Sequence, residues 1–467
     1  MKFFHSIPAS KILFAAGFIL LLAAWKDKPG KGEAAAMQIP VVYYKLGNGL
    51  KVVLSRDTIA PTVAVGVYYN IGFRIEPKNR TGFAHLFEHM MFQGSKNLGK
   101  MEFIKLVQQN GGILNGSTRF DFTNYFEVMP AHKLETAIWA EADRMKGLAI
   151  TQDNLTNQQG VVKNEVKVNV LNQPYGGFPW LDMPQYANEN WYNAHNFYGD
   201  LADLDSAKLD DVNNFFKTYY APNNAVLTVV GDFEVEAAKK WVEQYFGNIP
   251  AATIPPKPDL SEPRQEKEKR FTKEDKLANK PAIAVAYKMP EKHTPEFYAM
   301  GLIDQILLQG QDSKLYQSLV QEKGYTNSVS GGINYLGNMF DYNGPMVWMA
   351  DLVHDSTVAA DSIIRQFDKA VADLEATVSA ADLKLASVKM RSNLYDQLGG
   401  SYGINKLNLL ASFALFDDNP SKINELESEF GKVTPELIKK TAREYLRSTN
   451  RTILIVNPKA PTHESSK

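Results

Sequence analysis

The chain has 467 residues, of which 44% are hydrophobic and 22% charged, and it contains no cysteine. This length and composition predict a soluble globular protein with a large core and more than one domain. The absence of cysteine excludes disulfides, thiol catalysis and cysteine-based zinc sites. The formal net charge of −1 gives no reason to expect a nucleic-acid partner.

The N-terminus has the pattern of an export signal. Lys2 and Lys11 precede an apolar run from Ile12 to Trp25, which suits a signal peptide and is short for a membrane-spanning helix. Ala34–Ala36 offers a cleavage site. We therefore predict that residues 1–36 are a signal peptide, with an uncleaved membrane anchor as the alternative, and that the protein is periplasmic or secreted.

Further along the chain, hydrophobic periodicity predicts the elements that surround a possible site. Val63–Tyr69 is typical of a short buried strand, and Ala131–Met145 of an amphipathic helix. A third element, an apolar helix, lies between Thr81 and Gly94. We expect Thr81 to cap this helix at its N-terminus and Gly94 to end it in a left-handed conformation.

That apolar helix carries the pattern H-x-x-E-H at His85, Glu88 and His89. Residues i and i+4 share one face of a helix, so His85 and His89 can present two imidazoles to one metal. Ionisable side chains in a buried helix are costly unless they are satisfied, and Zn²⁺ would satisfy them. The alternative is a pair of core histidines with backbone partners.

A catalytic zinc ion usually has three protein ligands and one open position. The best third ligand is Glu165, the only acid in the helix predicted over Asn157–Glu165, although a solvated helix charge is the alternative. The H-x-x-E-H pattern followed by V-V-x-x-E at Val161–Glu165 resembles the pitrilysin (M16) family of zinc peptidases, which includes the mitochondrial processing peptidases. The separation of His89 from Glu165 is that of the processing-peptidase branch.

The resemblance extends over essentially the whole mature chain, through Leu114–Thr118, Asp121–Phe126 and Val226–Asp232. It implies a zinc endopeptidase that hydrolyses extended peptides or unfolded polypeptide segments. It also implies one Zn²⁺ per chain, and it assigns the following roles: metal ligands His85, His89 and Glu165, and general base Glu88, which takes a proton from the attacking water.

A substrate-binding edge strand is also implied near Asn115 and Phe126. An extended peptide would add to this strand by main-chain hydrogen bonding, which tolerates many sequences. For the two residues individually, the alternative is a turn residue for Asn115 and a core aromatic for Phe126.

The mature chain divides into two similar halves. Residues 37–250 carry the motif, residues 251–276 are rich in Pro and charge and predict an extended linker, and residues 277–457 repeat the first half. Aligning the repeats places Gly301, Asp304 and Gln305 where His85, Glu88 and His89 stand, so the second half is predicted to lack the metal site. Residues 458–467 are predicted to be a disordered tail.

The fold class predicted for both halves is α+β, an α/β sandwich in which helices pack on one side of a largely antiparallel sheet. Ala282–Tyr287 is typical of a buried strand of the second sheet. The resemblance implies two homologous domains that form a clamshell around a chamber.

Two departures from the family pattern bear on activity. Gln158 replaces an acid that often precedes the third ligand, and Val320 and Asn327 stand where active single-chain relatives have an arginine and a tyrosine. We therefore expect a heterodimer with a homologous subunit that supplies the missing pair, and a homodimer as the second choice. The alternative function is a non-catalytic binding or assembly subunit of such a complex.

Overall fold

The structure is a computed structural model that describes residues 38–459. The predicted leader, residues 1–36, lies outside the described residues, and so does the predicted tail except for its first two residues. Pro458 belongs to the last strand, so the tail prediction begins one residue too early.

The first half contains a six-stranded sheet. Its strands are β1 (Val42–Lys45), β2 (Lys51–Arg56), β3 (Thr62–Tyr69), β4 (Ile113–Thr118), β5 (Thr123–Pro130) and β6 (Ala225–Gly231). The strand order is β1-β2-β6-β3-β5-β4, in which only β2 and β6 run parallel. Because β4 has no neighbour on its outer side within this sheet, it presents free backbone groups there.

Nine α-helices lie in the first half of the chain, within its described part. They are α1 (Phe83–Met90), α2 (Glu102–Gln109), α3 (Leu134–Lys146), α4 (Gln152–Val166), α5 (Asp182–Ala187), α6 (Trp191–Ala194), α7 (Leu201–Ser206), α8 (Leu209–Tyr219) and α9 (Val235–Phe246). A wider, π-type turn over Lys167–Leu171 continues α4.

Strand β3 shows how the first core is built. Its residues Val63, Val65 and Val67 point to one face and pack with apolar side chains of α1, α3 and α4. The intervening residues Ala64 and Tyr68 point to the other face and pack with the second half of the chain. The strand is therefore buried on both faces, as its nearly continuous apolar sequence predicts.

The second half repeats this architecture with five strands. They are β7 (Lys269–Asp275), β8 (Ala282–Lys288), β9 (Ser330–Ile333), β10 (Val347–Val353) and β11 (Arg451–Pro458). The order β7-β11-β8-β10-β9 matches β2-β6-β3-β5-β4 strand for strand, including one parallel pair and a free outer edge on β9. This correspondence confirms the predicted repeat.

The helices of the second half in the described part of the chain are α10 (Pro295–Leu307), α11 (Ala360–Ala376), α12 (Ala380–Gly399), α13 (Ile404–Asp417), α14 (Leu426–Gly431) and α15 (Pro435–Tyr445). A π-type segment covers Tyr316–Glu322. None of the helices described between residues 38 and 459 is long and apolar enough to cross a membrane.

The predicted linker differs from the structure at its C-terminal end. Residues 251–268 contain no helix or strand, but Lys269–Asp275 form β7 beside β11. This strand is rich in charge because it lies at the edge of the sheet, where its side chains alternate between half-buried and exposed.

The two halves exchange helices across their interface. Helix α13 of the second half packs on β2, β3 and β6 of the first sheet, where Gly66 leaves room for the side chain of Leu407. In return, Met183 and Ala187 of α5 pack on the second sheet. Each sheet is therefore covered on both faces, in contrast to the predicted packing of helices on one side. A continuous apolar core joins the two halves of the predicted clamshell.

Candidate metal centre

Helix α1 presents two imidazoles side by side. Leu86, Phe87 and Met90 are buried and fix the helix against the sheet. The Nε2 atoms of His85 and His89 consequently lie 3.3 Å apart. This is the arrangement that the i, i+4 spacing predicts.

Helix α4 brings Glu165 to the same point. Thr151 begins the helix, and its hydroxyl accepts a hydrogen bond from the backbone N–H of Asn154. One carboxylate oxygen of Glu165 lies 3.5 Å from His85 Nε2, and the other lies 3.1 Å from His89 Nε2. Hydrogen bonds from these two imidazoles hold the pKa of the Glu165 carboxyl well below its usual range.

The three side chains fit a zinc ion. Ligands of a tetrahedral zinc ion with bonds of about 2.0–2.1 Å lie about 3.3 Å from one another. The observed separations of 3.1, 3.3 and 3.5 Å bracket that value. His85 is 4% exposed whereas Glu165 is 29% exposed, so the group is open on one side for a fourth ligand. Within residues 38–459, no other group of three histidine or acidic side chains converges in this way.

Glu88 lies beside this group and is not part of it. One of its carboxylate oxygens accepts a hydrogen bond of 2.8 Å from the hydroxyl of Thr118, the last residue of β4. Sequence reasoning did not identify Thr118, because nothing in the local pattern indicates that the end of β4 meets α1. The carboxylate is therefore oriented by a strand and remains available for chemistry.

The N-terminus of α1 is capped by a residue that the sequence did not indicate. The buried carboxylate of Glu76 accepts hydrogen bonds from the backbone N–H groups of Gly82 (2.8 Å) and Ala84 (2.6 Å). The predicted cap, Thr81, instead donates a hydrogen bond to Asp203. The Thr81 prediction is therefore wrong: Gly82 occupies the cap position with φ of +82°, which a glycine adopts without strain.

The C-terminal end of α1 also differs from the prediction. The helix ends at Met90, and Met91–Gln93 form a turn before Gly94, which has φ of +120°. The left-handed conformation predicted for Gly94 is thus present, but several residues beyond the last helical turn.

Aromatic rings line one wall of the centre. The ring centroid of His85 lies 5.0 Å from the ring centroid of Tyr198 and 6.0 Å from that of Phe197. Burial and the nearby carboxylates of Glu165 and Glu88 raise the pKa of Tyr198 to about 12. Tyr198 therefore keeps its proton at neutral pH.

The two predicted substrate-binding residues face each other across β4 and β5. Asn115 is exposed and pairs in register with the half-buried Phe126. Both line a cavity of about 380 Å³ between the two halves of the chain. Only β4 forms the edge, so the predicted edge strand was too long: Phe126 belongs to the second strand from the edge.

The second half places the predicted counterparts of the motif on α10. Gly301, Asp304 and Gln305 line a separate cavity of about 450 Å³. Asp304 accepts a hydrogen bond of 2.7 Å from the indole N–H of Trp348, and burial raises its pKa to about 6. A glycine, an acid and an amide do not reproduce the ligand set of α1.

None of the residues that depart from the family pattern belongs to the three-residue ligand group. Gln158 is buried on α4 and donates a hydrogen bond to Asn157. Val320 is half-buried in the π-type segment, and Asn327 is exposed in the loop that follows. Tyr325, also in this loop, packs against the core of the second half.

Comparison with known proteins identifies the family. Residues 51–190 match the family model described as insulinase (peptidase family M16), and residues 206–387 match the model described as the peptidase M16 inactive domain. The two matches together cover more than two thirds of the chain. The chain belongs to peptidase family M16.

Two curated relatives of this M16 chain align with most of its length. The "zinc protease PqqE" of Helicobacter pylori is 24% identical over 420 residues, which are 88% of this chain and 92% of the relative. The "mitochondrial-processing peptidase subunit beta" of Bos taurus is 24% identical over 427 residues, 88% of this chain and 83% of the relative. The chain is therefore similar to zinc proteases, and one of these relatives is named as a subunit.

The fold is also that of a solved protease structure. A protease from Helicobacter pylori superposes with a TM-score of 0.82 and 23% sequence identity, over 90% of this chain and 100% of that chain. The predicted fold class, two homologous domains built from largely antiparallel sheets and helices, is confirmed.

Proposed function

We propose that this chain is a zinc-dependent endopeptidase that hydrolyses extended peptides or unfolded polypeptide segments. The observation that carries the proposal is the convergence of His85, His89 and Glu165, with Glu88 beside them and outside the ligand group. Hydrolysis by a metal requires such a base, one that is near the ligands and free to exchange a proton.

The residues divide the chemistry between them. When bound by His85, His89 and Glu165, Zn²⁺ supplies a Lewis acid that lowers the pKa of a water to about 7 and polarises a carbonyl group. Glu88 takes the proton of the attacking water and returns it to the leaving amine. Thr118 holds the Glu88 carboxylate in place through its hydrogen bond.

Strand β4 supplies the substrate-binding surface of this proposal. Its outer side lacks a neighbouring strand, and its last residue contacts Glu88. A peptide that adds to β4 therefore passes directly beside the base. Main-chain hydrogen bonds would provide most of the affinity, which favours unfolded substrates over folded ones.

The test is metal content together with turnover of a quenched fluorescent peptide. We expect one zinc per chain, and we expect the Glu88→Gln variant to keep the zinc and lose turnover by a factor of about 10³ or more. A variant that cleaved the peptide at the parental rate would exclude Glu88 as the base.

A non-catalytic assembly subunit is the second candidate function. It draws support from the match of residues 206–387 to a domain described as inactive and from the relative named as a subunit. Stoichiometric zinc combined with peptide turnover favours the peptidase. If the chain has neither stoichiometric zinc nor peptide turnover and still binds a partner, the result favours the assembly role.

We propose a heterodimer as the active form, with a homologous subunit that supplies an arginine and a tyrosine. Val320 and Asn327 occupy the matching positions here, and neither side chain can replace the missing pair. The experiment compares the chain alone with the chain co-expressed with a homologue. Full activity of the isolated chain, at concentrations that dissociate a homodimer, would contradict the heterodimer and also the homodimer as second choice.

We also propose that the chain is exported to the periplasm or beyond, either free or anchored. The support is the apolar run between Ile12 and Trp25 after two lysines. Cell fractionation followed by N-terminal sequencing of the mature protein tests this: a product that retains Met1 and stays in the cytoplasm would contradict export.

A further inference from the structure

We propose that Arg119 and the cavity beside β4 form a subsite for an acidic side chain of the peptide substrate. The proposal rests on the peptidase function above and adds a preference to it: aspartate or glutamate within about three residues of the scissile bond.

Amide side chains from both halves of the chain line the cavity beside β4. Asn115 and Asn124 line it from the first sheet, and Gln397, Asn405 and Asn408 line it from α12 and α13. These amides donate and accept hydrogen bonds without adding charge. Such walls suit a polar side chain and do not repel a charged one.

Arg119 supplies the positive charge of this cavity. Its side chain is half-buried, and it forms no hydrogen bond or ion pair with any residue between 38 and 459. A guanidinium presents several N–H groups in a planar fork that matches a carboxylate in a bidentate pair. The guanidinium, which has no acceptor among the described residues, is therefore the group with which an acidic side chain would pair.

The other charged residue lining the cavity in the described structure, Asp341, is already engaged. Its carboxylate accepts hydrogen bonds from Asn338 (2.8 Å), Asn408 (2.5 Å) and Ser412 (3.0 Å). No ion pair joins Asp341 to Arg119 among the described residues. Arg119 thus has no internal carboxylate to compete with a substrate.

The pleat of β4 directs substrate side chains into the cavity. Thr118 points to Glu88 on α1, whereas Asn115, Ser117 and Arg119 line the cavity on the opposite face. A peptide added to β4 follows the same alternation, so every second side chain faces the cavity. With a rise of about 3.3 Å per residue, cavity-facing positions of the peptide recur about every 6.6 Å along the strand.

The experiment uses the full chain, with its partner if it requires one, and a set of matched peptides. Glu, Gln or Lys is placed in turn at each position within three residues of a cleavage site, and kcat/KM is measured. We expect one position at which Glu exceeds Gln by about tenfold, with Lys the poorest. The Arg119→Glu variant should reverse this order and Arg119→Lys should keep it. Lys100→Glu, the same charge change at an exposed site outside the cavity, should leave the order unchanged.

Binding separates this proposal from the peptidase function. Fluorescence anisotropy of the same labelled peptides on the Glu88→Gln variant measures preference without turnover. Three results would overturn the subsite. They are equal affinity for Glu, Gln and Lys peptides at every position, no binding at all, and a preference that survives Arg119→Glu. Discrimination in binding with no hydrolysis by the parent would leave the subsite standing and refute the peptidase.

Discussion

The hydroxyl of Thr118 donates a hydrogen bond to the carboxylate of Glu88 across 2.8 Å. This contact joins the edge strand that would bind a peptide to the helix that would hold the metal. Hydrogen bonds to a charged group contribute about 1.5–3 kcal/mol, so this one can hold the base in a single orientation.

Replacing Thr118 by valine keeps the volume and removes the donor. We expect kcat to fall by about tenfold to a hundredfold, with zinc content and KM close to parental values, because the base loses its orientation and the ligands are untouched. Steady-state kinetics on a quenched peptide measure this. Thr118→Ser restores the hydroxyl and should recover most of the rate, whereas equal losses in both variants would contradict the orienting role.

Replacing Glu165 by glutamine tests the metal centre. The change removes one negative charge from the three-ligand group, and we expect the affinity for zinc to fall at least about a hundredfold. Zinc titration against a chelating dye gives the affinity. Asp153→Asn removes the same charge from the exposed first turn of α4 and should leave zinc binding unchanged. Similar affinities in all three proteins would refute Glu165 as a ligand.

Replacing Glu76 by alanine tests the cap of α1. The variant leaves two buried backbone N–H groups without an acceptor, and we expect the free energy of unfolding to fall by about 2–4 kcal/mol. Urea denaturation of the metal-free protein measures the loss. Glu102→Ala is the matched control, since Glu102 accepts a hydrogen bond from the backbone N–H of Gly99 at an exposed site and should cost less than about 1 kcal/mol.

Asp304 should make the stability depend on pH. Burial raises the pKa of its carboxyl from 3.8 to about 6, so the folded protein holds this proton over a range where the unfolded chain has released it. Asp304 therefore contributes roughly 3 kcal/mol to the free energy of unfolding below pH 4, and this contribution is lost as the pH rises through about 6.

Asp304→Asn keeps the oxygen that accepts hydrogen bonds from Trp348 and Gln309 and removes the titration. Urea denaturation between pH 4 and 7 should show that the variant gains stability relative to the parent as the pH rises. Asp373→Asn, at an exposed position, is the control. Parallel curves for parent and Asp304→Asn would contradict the raised pKa.

The sequence predicts those parts of the site whose geometry depends only on residues that are close together in the chain. The spacing of His85 and His89 is enough to place two imidazoles on one face, because helical geometry is fixed. Glu165 lies on another helix, so its selection depended on the resemblance to a family as well as on the lack of other acids nearby. Thr118 and Glu76 have no local pattern, since a strand end and a preceding turn reach α1 only in the folded chain.

The same distinction applies to the fold. Strands β3 and β8 follow their apolar sequences closely, and the repeat is visible in the matching strand orders. Strand β7 was missed because its sequence, Lys269–Asp275, is mostly charged and its partner β11 is the last strand described, far along the chain. Sheet coverage by a helix from the opposite half is likewise a long-range contact that periodicity does not indicate.

The reciprocal placement of α13 and α5 makes each half incomplete without the other. Expressed alone, the first half would leave the apolar side of its sheet uncovered where α13 packs, and the second would lose the cover that α5 provides. Fragments cut within residues 251–268 would thus be insoluble singly and would reassociate when mixed. Each repeat therefore depends on a helix of the other repeat to bury one face of its sheet.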